Sequence, residues 1–227
     1  LKVTAIIAAA GLGKRFGSQT PKQFHQLGGR PLLAWSIDTF TKVPFIEDIV
    51  VVAPPSDESS TLKIVKSFSN EKPITVIAGG ATRQESVRQG LLSIDEKKTW
   101  IAVHDAARPL VPQSDIEAVC LMAQEIGAAI LAIPVHDTVK LVDEDGLIVR
   151  TLDRDRIYLA QTPQVCRRKD LVSAYELAER KNIKVTDEAS LLEAAGMAVG
   201  VVPGKPRNIK ITTEDDFILA EALIKTL

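Results

Sequence analysis

Short apolar runs and amphipathic stretches alternate along most of the chain. Residues 3–10 form an unbroken run of small and β-branched side chains that stops at Gly11. A run with no polar face predicts a strand covered on both sides. Similar runs recur at 49–53, 74–78, 100–104, 128–135 and 198–202. Between most of them, 32–40, 62–68, 87–92, 116–126 and 171–178 carry apolar positions at helical period. This alternation predicts an α/β architecture, a doubly wound, mostly parallel sheet with helices on both faces. Thr82-Arg83-Gln84-Glu85 and Ser114-Asp115-Ile116-Glu117 have capping-box spacing, which marks helix starts.

One stretch breaks the rhythm. Residues 138–142 and 147–152 are β-prone and flank Asp143-Glu144-Asp145-Gly146, whose Asp-Gly step signals a turn. The pattern predicts an inserted β-hairpin arm at about 136–156 within a single domain spanning 1–227. A lone hairpin is marginal in water, so the apolar Val139, Leu141, Val142, Leu147, Ile148 and Val149 need something to pack on. There is no internal repeat, low-complexity tract or Pro/Gly/Ser-rich linker.

Composition narrows the classes. With 227 residues and 45% hydrophobic content the chain can bury a core without a disulfide or metal staple. Lys and Arg total 28 against 29 acids, so no global basic field points to nucleic acid or an anionic membrane. Any anion site must be built locally. Cys120 and Cys166 lie far apart with no C-x-x-C spacing; Cys120 falls on the apolar stripe of a helix and reads as a buried thiol, and the pair is consistent with a reducing compartment. No apolar run approaches the ~18 residues of a membrane span, and the N-terminal residues lack a basic-then-apolar signal.

The chemistry concentrates after the first run, in Ala8-Ala9-Ala10-Gly11-Leu12-Gly13-Lys14-Arg15-Phe16-Gly17. Small residues and glycines let backbone amides approach an anion. Lys14, Arg15 and Lys22, the last in Pro21-Lys22-Gln23, place three cations within nine positions, more than a dinucleotide pyrophosphate at a helix N-terminus requires. The spacing fits neither G-x-G-x-x-G nor the P-loop, so a nucleoside triphosphate is the better match. Against this stands a plain tight turn with solvated charges. Gly79-Gly80-Ala81 through Ser86 sits at another strand-to-helix junction, where Arg83 and Ser86 share a helix face. His104-Asp105-Ala106-Ala107-Arg108-Pro109 ends a further strand; an acid three residues from an arginine suits a metal or phosphate site, or a local ion pair. His104 reads as structural, and no two histidines have zinc spacing. Asp153-Arg154, Gln161-Thr162-Pro163-Gln164, Thr186-Asp187-Glu188 and Asn208-Ile209-Lys210 would singly pass for turns or caps.

Together, in order and over nearly the whole chain, these motifs resemble the 2-C-methyl-D-erythritol 4-phosphate cytidylyltransferases of the non-mevalonate isoprenoid pathway. The matching segments include Ala9 to Arg15, Pro21-Lys22-Gln23, Gly79-Gly80 to Arg83, Ser86-Val87, His104 to Pro109 and Pro134 to Lys140. They continue with Asp153-Arg154, Thr162-Pro163-Gln164, Thr186 to Ser190 and Asn208 to Thr212. The resemblance implies a nucleotide-diphospho-sugar-transferase, Rossmann-like fold, CTP as co-substrate, magnesium or another divalent cation, and a homodimer whose arm clasps its partner. It implies that Ala8, Ala9, Ala10, Gly11 and Gly13 hold the nucleotide, and Gly80, Ala81 and Ser86 its cytosine. Arg15, Lys22, Arg154 and Lys210 would be catalytic. Asp105, Arg108, Thr138, Thr162 and Thr186 would bind the polyol phosphate, Thr138 and Arg154 from the neighbouring arm, with Asp105 near the metal. A cytoplasmic location, or the plastid stroma in a plant, goes with that family. The chain departs from some relatives at Ala8, where they have proline, and at Ala81, where they have an acid.

Two rivals stay in view. Ribitol 5-phosphate cytidylyltransferases share the loop and Pro-Lys-Gln, but tend to have Gly-Gly, Asp-Ala-Val-Arg-Pro and Ser-Asp-Ala where this chain has Ala10-Gly11, Asp105-Ala106-Ala107-Arg108 and Thr186-Asp187-Glu188. A non-catalytic dinucleotide-binding module would need a ribose-binding acid, for which Asp38 is the candidate.

Overall fold

A computed structural model describes residues 1–11, 21–66 and 72–226. The first strand, β1 (Val3–Ala8), has cover on both faces: Val3, Ala5 and Ile7 pack into one core layer and Ile6 into the other. A short hairpin, β2 (Gln26–Leu27) and β3 (Arg30–Pro31), leads into α1 (Leu32–Lys42). Then β4 (Ile46–Ala53), α2 (Glu58–Lys66), β5 (Ile74–Ala78), α3 (Arg83–Leu92), β6 (Trp100–Asp105), α4 (Gln113–Ile126) and β7 (Ala128–Pro134) continue the expected alternation. Side chains from α1 and α4, among them Leu33, Ile37, Phe40, Ile116 and Val119, fill one layer. Val87 and Leu91 of α3 help fill the other. That two-sided cover makes the sheet doubly wound.

The arm forms as an antiparallel pair, β8 (Lys140–Val142) and β9 (Ile148–Thr151). Its turn is set by Gly146, at φ 81°, and by the Asp143 carboxylate, which accepts from the amides of Asp145 and Leu147. Among the described residues, β8 and β9 pair only with each other. Their apolar side chains remain uncovered, Leu147 at 67% and Ile148 at 63% exposure.

The sequence reading missed the next strand. β10 (Tyr158–Arg167) runs antiparallel between β6 and β7, giving the order β11-β7-β10-β6-β1-β4-β5 once β11 (Gly200–Pro203) is added. Gln161-Thr162-Pro163-Gln164, expected as a turn or cap, lies inside this central strand. Pro163 has no amide to donate, and the β10–β7 register breaks between Ala160 and Gln164, where it sits. Also unassigned from sequence were α6 (Glu188–Ala194), which with α5 (Arg168–Lys181) lies on the α3 side, and α7 (Glu214–Ile224).

Helix starts differ in detail. At Thr82 only half the box forms: the hydroxyl accepts from the Glu85 amide, while the Glu85 carboxylate takes the Ala81 amide. At Ser114 no cap forms, because α4 begins at Gln113, two residues earlier than that cap would set, behind Pro112. The complete box is at Thr213 and Asp216, heading α7, whose Phe217, Ala220, Leu223 and Ile224 pack with Leu27, Leu32, Leu110 and Ile211. Among the described residues no helix is long and apolar enough to cross a membrane.

Candidate active site

Register assembles the site. Ala8 at the end of β1 lies opposite Val52 on one side and Asp105 on the other, and Ala53 lies opposite Ala78. The C-terminal ends of β1, β4, β5 and β6 therefore share one edge of the sheet. After β1 the chain winds outward through β4 and β5, then returns to place β6 on β1's other flank. A crevice opens at such a reversal, and ligands of open α/β sheets collect there. Three amides secure the exits: Ala9 to Val52 O, Ala106 to Ala8 O and Gly79 to Ala53 O.

The crevice is a cleft of about 770 Å³, lined by Ala8 to Gly11, Lys22, Gly80, Ala81, Arg83, Ser86, Asp105 and Lys210 among others. The Ser86 hydroxyl accepts from the Gly80 amide and donates to Thr82 O, which pins the glycine turn to α3. Gly79 has no room for a side chain: a Cβ there would meet that of Ala10 at 2.5 Å. Lys22, in a 3-10 turn at Lys22–Phe24, donates its ammonium to Ile211 O at 2.9 Å.

The charges interlock. Asp105 Oδ1 accepts from Arg83 Nε at 2.8 Å, and Oδ2 lies 2.6 Å from Lys210 Nζ. Arg83 in turn makes two parallel bonds to the Glu188 carboxylate, each 2.9 Å. Burial alone would push Asp105 up, but Arg83 and Lys210 outweigh it and hold the carboxyl well below the usual range. Burial raises Glu188, with Arg83 opposing. Arg83 stays charged between the two acids. Asp105 is thus paired, but not with Arg108 as the local spacing suggested. Arg108 instead donates to Asn208 O at 2.7 Å and Ala160 O at 3.1 Å.

Beneath this lies a neutral relay. His104 Nε2 meets the Arg108 carbonyl at 3.1 Å; a carbonyl only accepts, so Nε2 carries the proton. Nδ1 then accepts from the Thr162 hydroxyl at 3.0 Å, and the Thr162 oxygen accepts from the Asp105 amide. Burial holds the His104 pKa down, from 6.5 to about 4. The folded value is below the unfolded one, so the native state binds fewer protons. Stability from His104 is whole above pH 6.5 and is lost as pH falls to 4. The expected loss is about 3 kcal/mol. Urea unfolding of wild type and His104→Gln between pH 7 and 4 checks this; equal losses in both would remove His104 as the cause.

The expected residues divide into four groups. Ala8, Ala9, Ala10, Gly11, Lys22, Gly80, Ala81, Ser86, Asp105 and Lys210 come together around the cleft. Thr162 and Arg108 lie outside that lining, the Thr162 hydroxyl and both terminal nitrogens of Arg108 bonded inside the protein while Arg108 Nε is buried without a hydrogen bond, and Thr186 is exposed just ahead of α6. Thr138 and Arg154 are exposed on the arm, where Arg154 donates to His136 O. Gly13 and Arg15 lie outside the described residues. Asp38, the candidate for a dinucleotide ribose, sits on α1 and pairs with Arg30 and Lys42. For a metal, both Asp105 oxygens are occupied by cations, and no group of three or more His, Cys, Asp or Glu converges among the described residues. A divalent ion at Asp105 would have to displace Lys210 or Arg83. Sequence reasoning placed Arg83 on a helix face with Ser86 without naming it a site residue, and gave Glu188 no role of its own. The two are 105 positions apart, and an acid behind an Asp cap carries no signal of its distant partner.

Solved structures share this architecture. One from Anaerococcus prevotii, described as a 4-diphosphocytidyl-2C-methyl-D-erythritol synthase, superposes with a TM-score of 0.88 at 32% identity, covering 99% of this chain and 96% of that one. Fold and site together define a nucleotidyltransferase. Within that class, the family model for 2-C-methyl-D-erythritol 4-phosphate cytidylyltransferase matches residues 3–226. A relative of that description from Syntrophus aciditrophicus is 44% identical over 225 residues, covering 99% of this chain and 96% of its own length. A solved structure of the Francisella tularensis enzyme is 38% identical, with a TM-score of 0.82 and coverage of 98% and 99%. The chain belongs to the 2-C-methyl-D-erythritol 4-phosphate cytidylyltransferase family.

Proposed function

We propose that the chain transfers CMP from CTP to 2-C-methyl-D-erythritol 4-phosphate, forming 4-diphosphocytidyl-2-C-methyl-D-erythritol and pyrophosphate for isoprenoid precursor synthesis. The observation that carries this reading is the strand-end cleft, where the small residues Ala8 to Gly11 face Lys22, Arg83 and Lys210. A phosphate monoester dianion is already nucleophilic, so the protein's task is to align two anions and disperse charge. A substrate phosphate oxygen attacks the CTP α-phosphorus; the bond from that phosphorus to the bridging oxygen breaks, and pyrophosphate leaves toward the loop. The residues from Ala8 to Gly13 cradle the nucleotide, and Gly80, Ala81 and Ser86 take cytosine. Lys22 and Arg15 stabilise charge on the α-phosphate, while Asp105, Lys210 and Thr186 face the polyol phosphate.

Arg108 and Thr162, already bonded internally, support that side from behind. Thr138 and Arg154 complete it from the arm of a second copy, the exposed apolar hairpin being the dimer contact. Hard divalent cations take phosphate oxygens and water, so magnesium enters this proposal with the triphosphate rather than through Asp105. The enzyme works as one domain in the cytoplasm, in keeping with the unpaired, buried Cys120 and Cys166.

Pyrophosphate release from CTP is the test. Methylerythritol phosphate should support it, ribitol 5-phosphate should not, and NAD should not raise the melting temperature. Release with ribitol 5-phosphate alone would transfer the reading to the sister activity.

A further inference from the structure

Asp105 has two cationic partners that differ in how they are held. Lys210 reaches Oδ2 through one contact, on a flexible stem whose side chain is 39% exposed. Arg83 reaches Oδ1 with its Nε while its two terminal nitrogens are gripped by Glu188, whose side chain is only 2% exposed. Glu188 is itself fixed. It is the first residue of α6, capped by Asp187; Gln164 of β10 donates to Asp187 and accepts from the Ala189 amide.

Stability alone is a poor reason for this arrangement. Arg83 is the first residue of α3, where the helix dipole disfavours a cation. Buried ion pairs are often no more stabilising than apolar residues of the same volume. The guanidinium has a geometric use instead, joining three elements at a planar fork that lysine cannot reproduce.

We propose that Glu188 and Arg83 form a positioning clamp that holds Asp105 in place while Lys210 exchanges between Asp105 and an incoming substrate phosphate. The inference rests on the proposed role of Asp105 and Lys210 at the polyol phosphate. When Lys210 swings to the phosphate, Oδ2 is freed to accept a substrate hydroxyl, and Oδ1 does not move because Arg83 cannot follow.

Breaking the clamp on one side leaves a buried charge unpaired, so Arg83→Gln and Glu188→Gln should each lower Tm by about 10 °C. The double variant pairs two neutral amides and should recover to within about 3 °C of wild type. Despite that recovery, its kcat/KM for methylerythritol phosphate should stay about 10–100-fold down through KM, with the KM for CTP within about twofold. Arg83→Lys, which keeps the charge but not the fork, should show the same split in a folded protein. Recovery of KM together with Tm overturns the proposal. So does a crystal structure of the double variant with Asp105 and Lys210 unmoved, a readout that needs no turnover. Failure of the transferase reading shows separately, as wild-type protein that releases no pyrophosphate.

Discussion

Replacing Lys22 by alanine is expected to lower turnover about 100–1000-fold, the usual loss for one preorganised donor to a transition-state oxyanion. The argument starts from how the ammonium is held. Pro21 leads into a 3-10 turn, and the side chain meets the Ile211 carbonyl in the segment that follows Lys210. That bond fixes the ammonium at the wall of the cleft. The cleft it lines begins at the backbone of Ala8 to Gly11, so an α-phosphate seated there comes within reach of the lysine. A 1000-fold loss is about 4 kcal/mol of transition-state stabilisation, far more than one exposed ion pair supplies. Steady-state pyrophosphate release, measured beside thermal unfolding, checks it. Wild-type turnover in a folded variant sinks the role. If Tm falls and turnover does not, Lys22 is a strut under Ile211.

Much of the scaffold was legible because its signals are local. β1, β4 and β6 are apolar on both faces, and that follows from reading successive side chains. The arm announced itself through Asp145-Gly146 between two β-prone runs. What escaped depends on partners distant in sequence. β10 was hidden because Gln161, Thr162 and Gln164 look like loop residues, yet each is buried and satisfied: Gln161 by Asn208, Thr162 by His104, Gln164 by Asp187 and Ala189. Polar residues enter a central strand only when such partners exist, and one sequence does not display them. The site divides the same way. Strand-end motifs supplied much of the cleft lining, from Ala8 to Gly11 and at Gly80, Ala81, Ser86 and Asp105, whereas Glu188, Arg83 and Asp105 meet because α6 and α3 begin where β6 ends. α7 escaped for a simpler reason. Ile218 and Leu219 are exposed apolar residues that blur the helical period, although Thr213 and Asp216 form the capping box its spacing allows.

Mixing Lys22→Ala and Arg154→Ala subunits, each nearly inactive alone, is expected to restore about a quarter of wild-type activity after exchange. The figure follows from counting sites. In the proposed homodimer, random pairing makes about half the dimers mixed. In a mixed dimer, the site of the Arg154→Ala chain keeps its own Lys22 and receives an intact arm from its partner. The other site lacks both groups. One working site in half the dimers gives the quarter. The geometry favours this outcome over action within one chain: Arg154 and Thr138 are exposed on the arm and absent from the lining of their own cleft, while Lys22 lies in it. If Arg154 served its own site, every site in the mixed dimer would lack one group or the other, and exchange would restore nothing. A second outcome separates assembly from chemistry. Replacing Leu147 and Ile148, both exposed on the hairpin, by serine should abolish the rescue by preventing pairing, with sedimentation velocity reporting monomers. Rescue that survives in those monomers would show that the arm is not the contact through which Arg154 reaches its substrate.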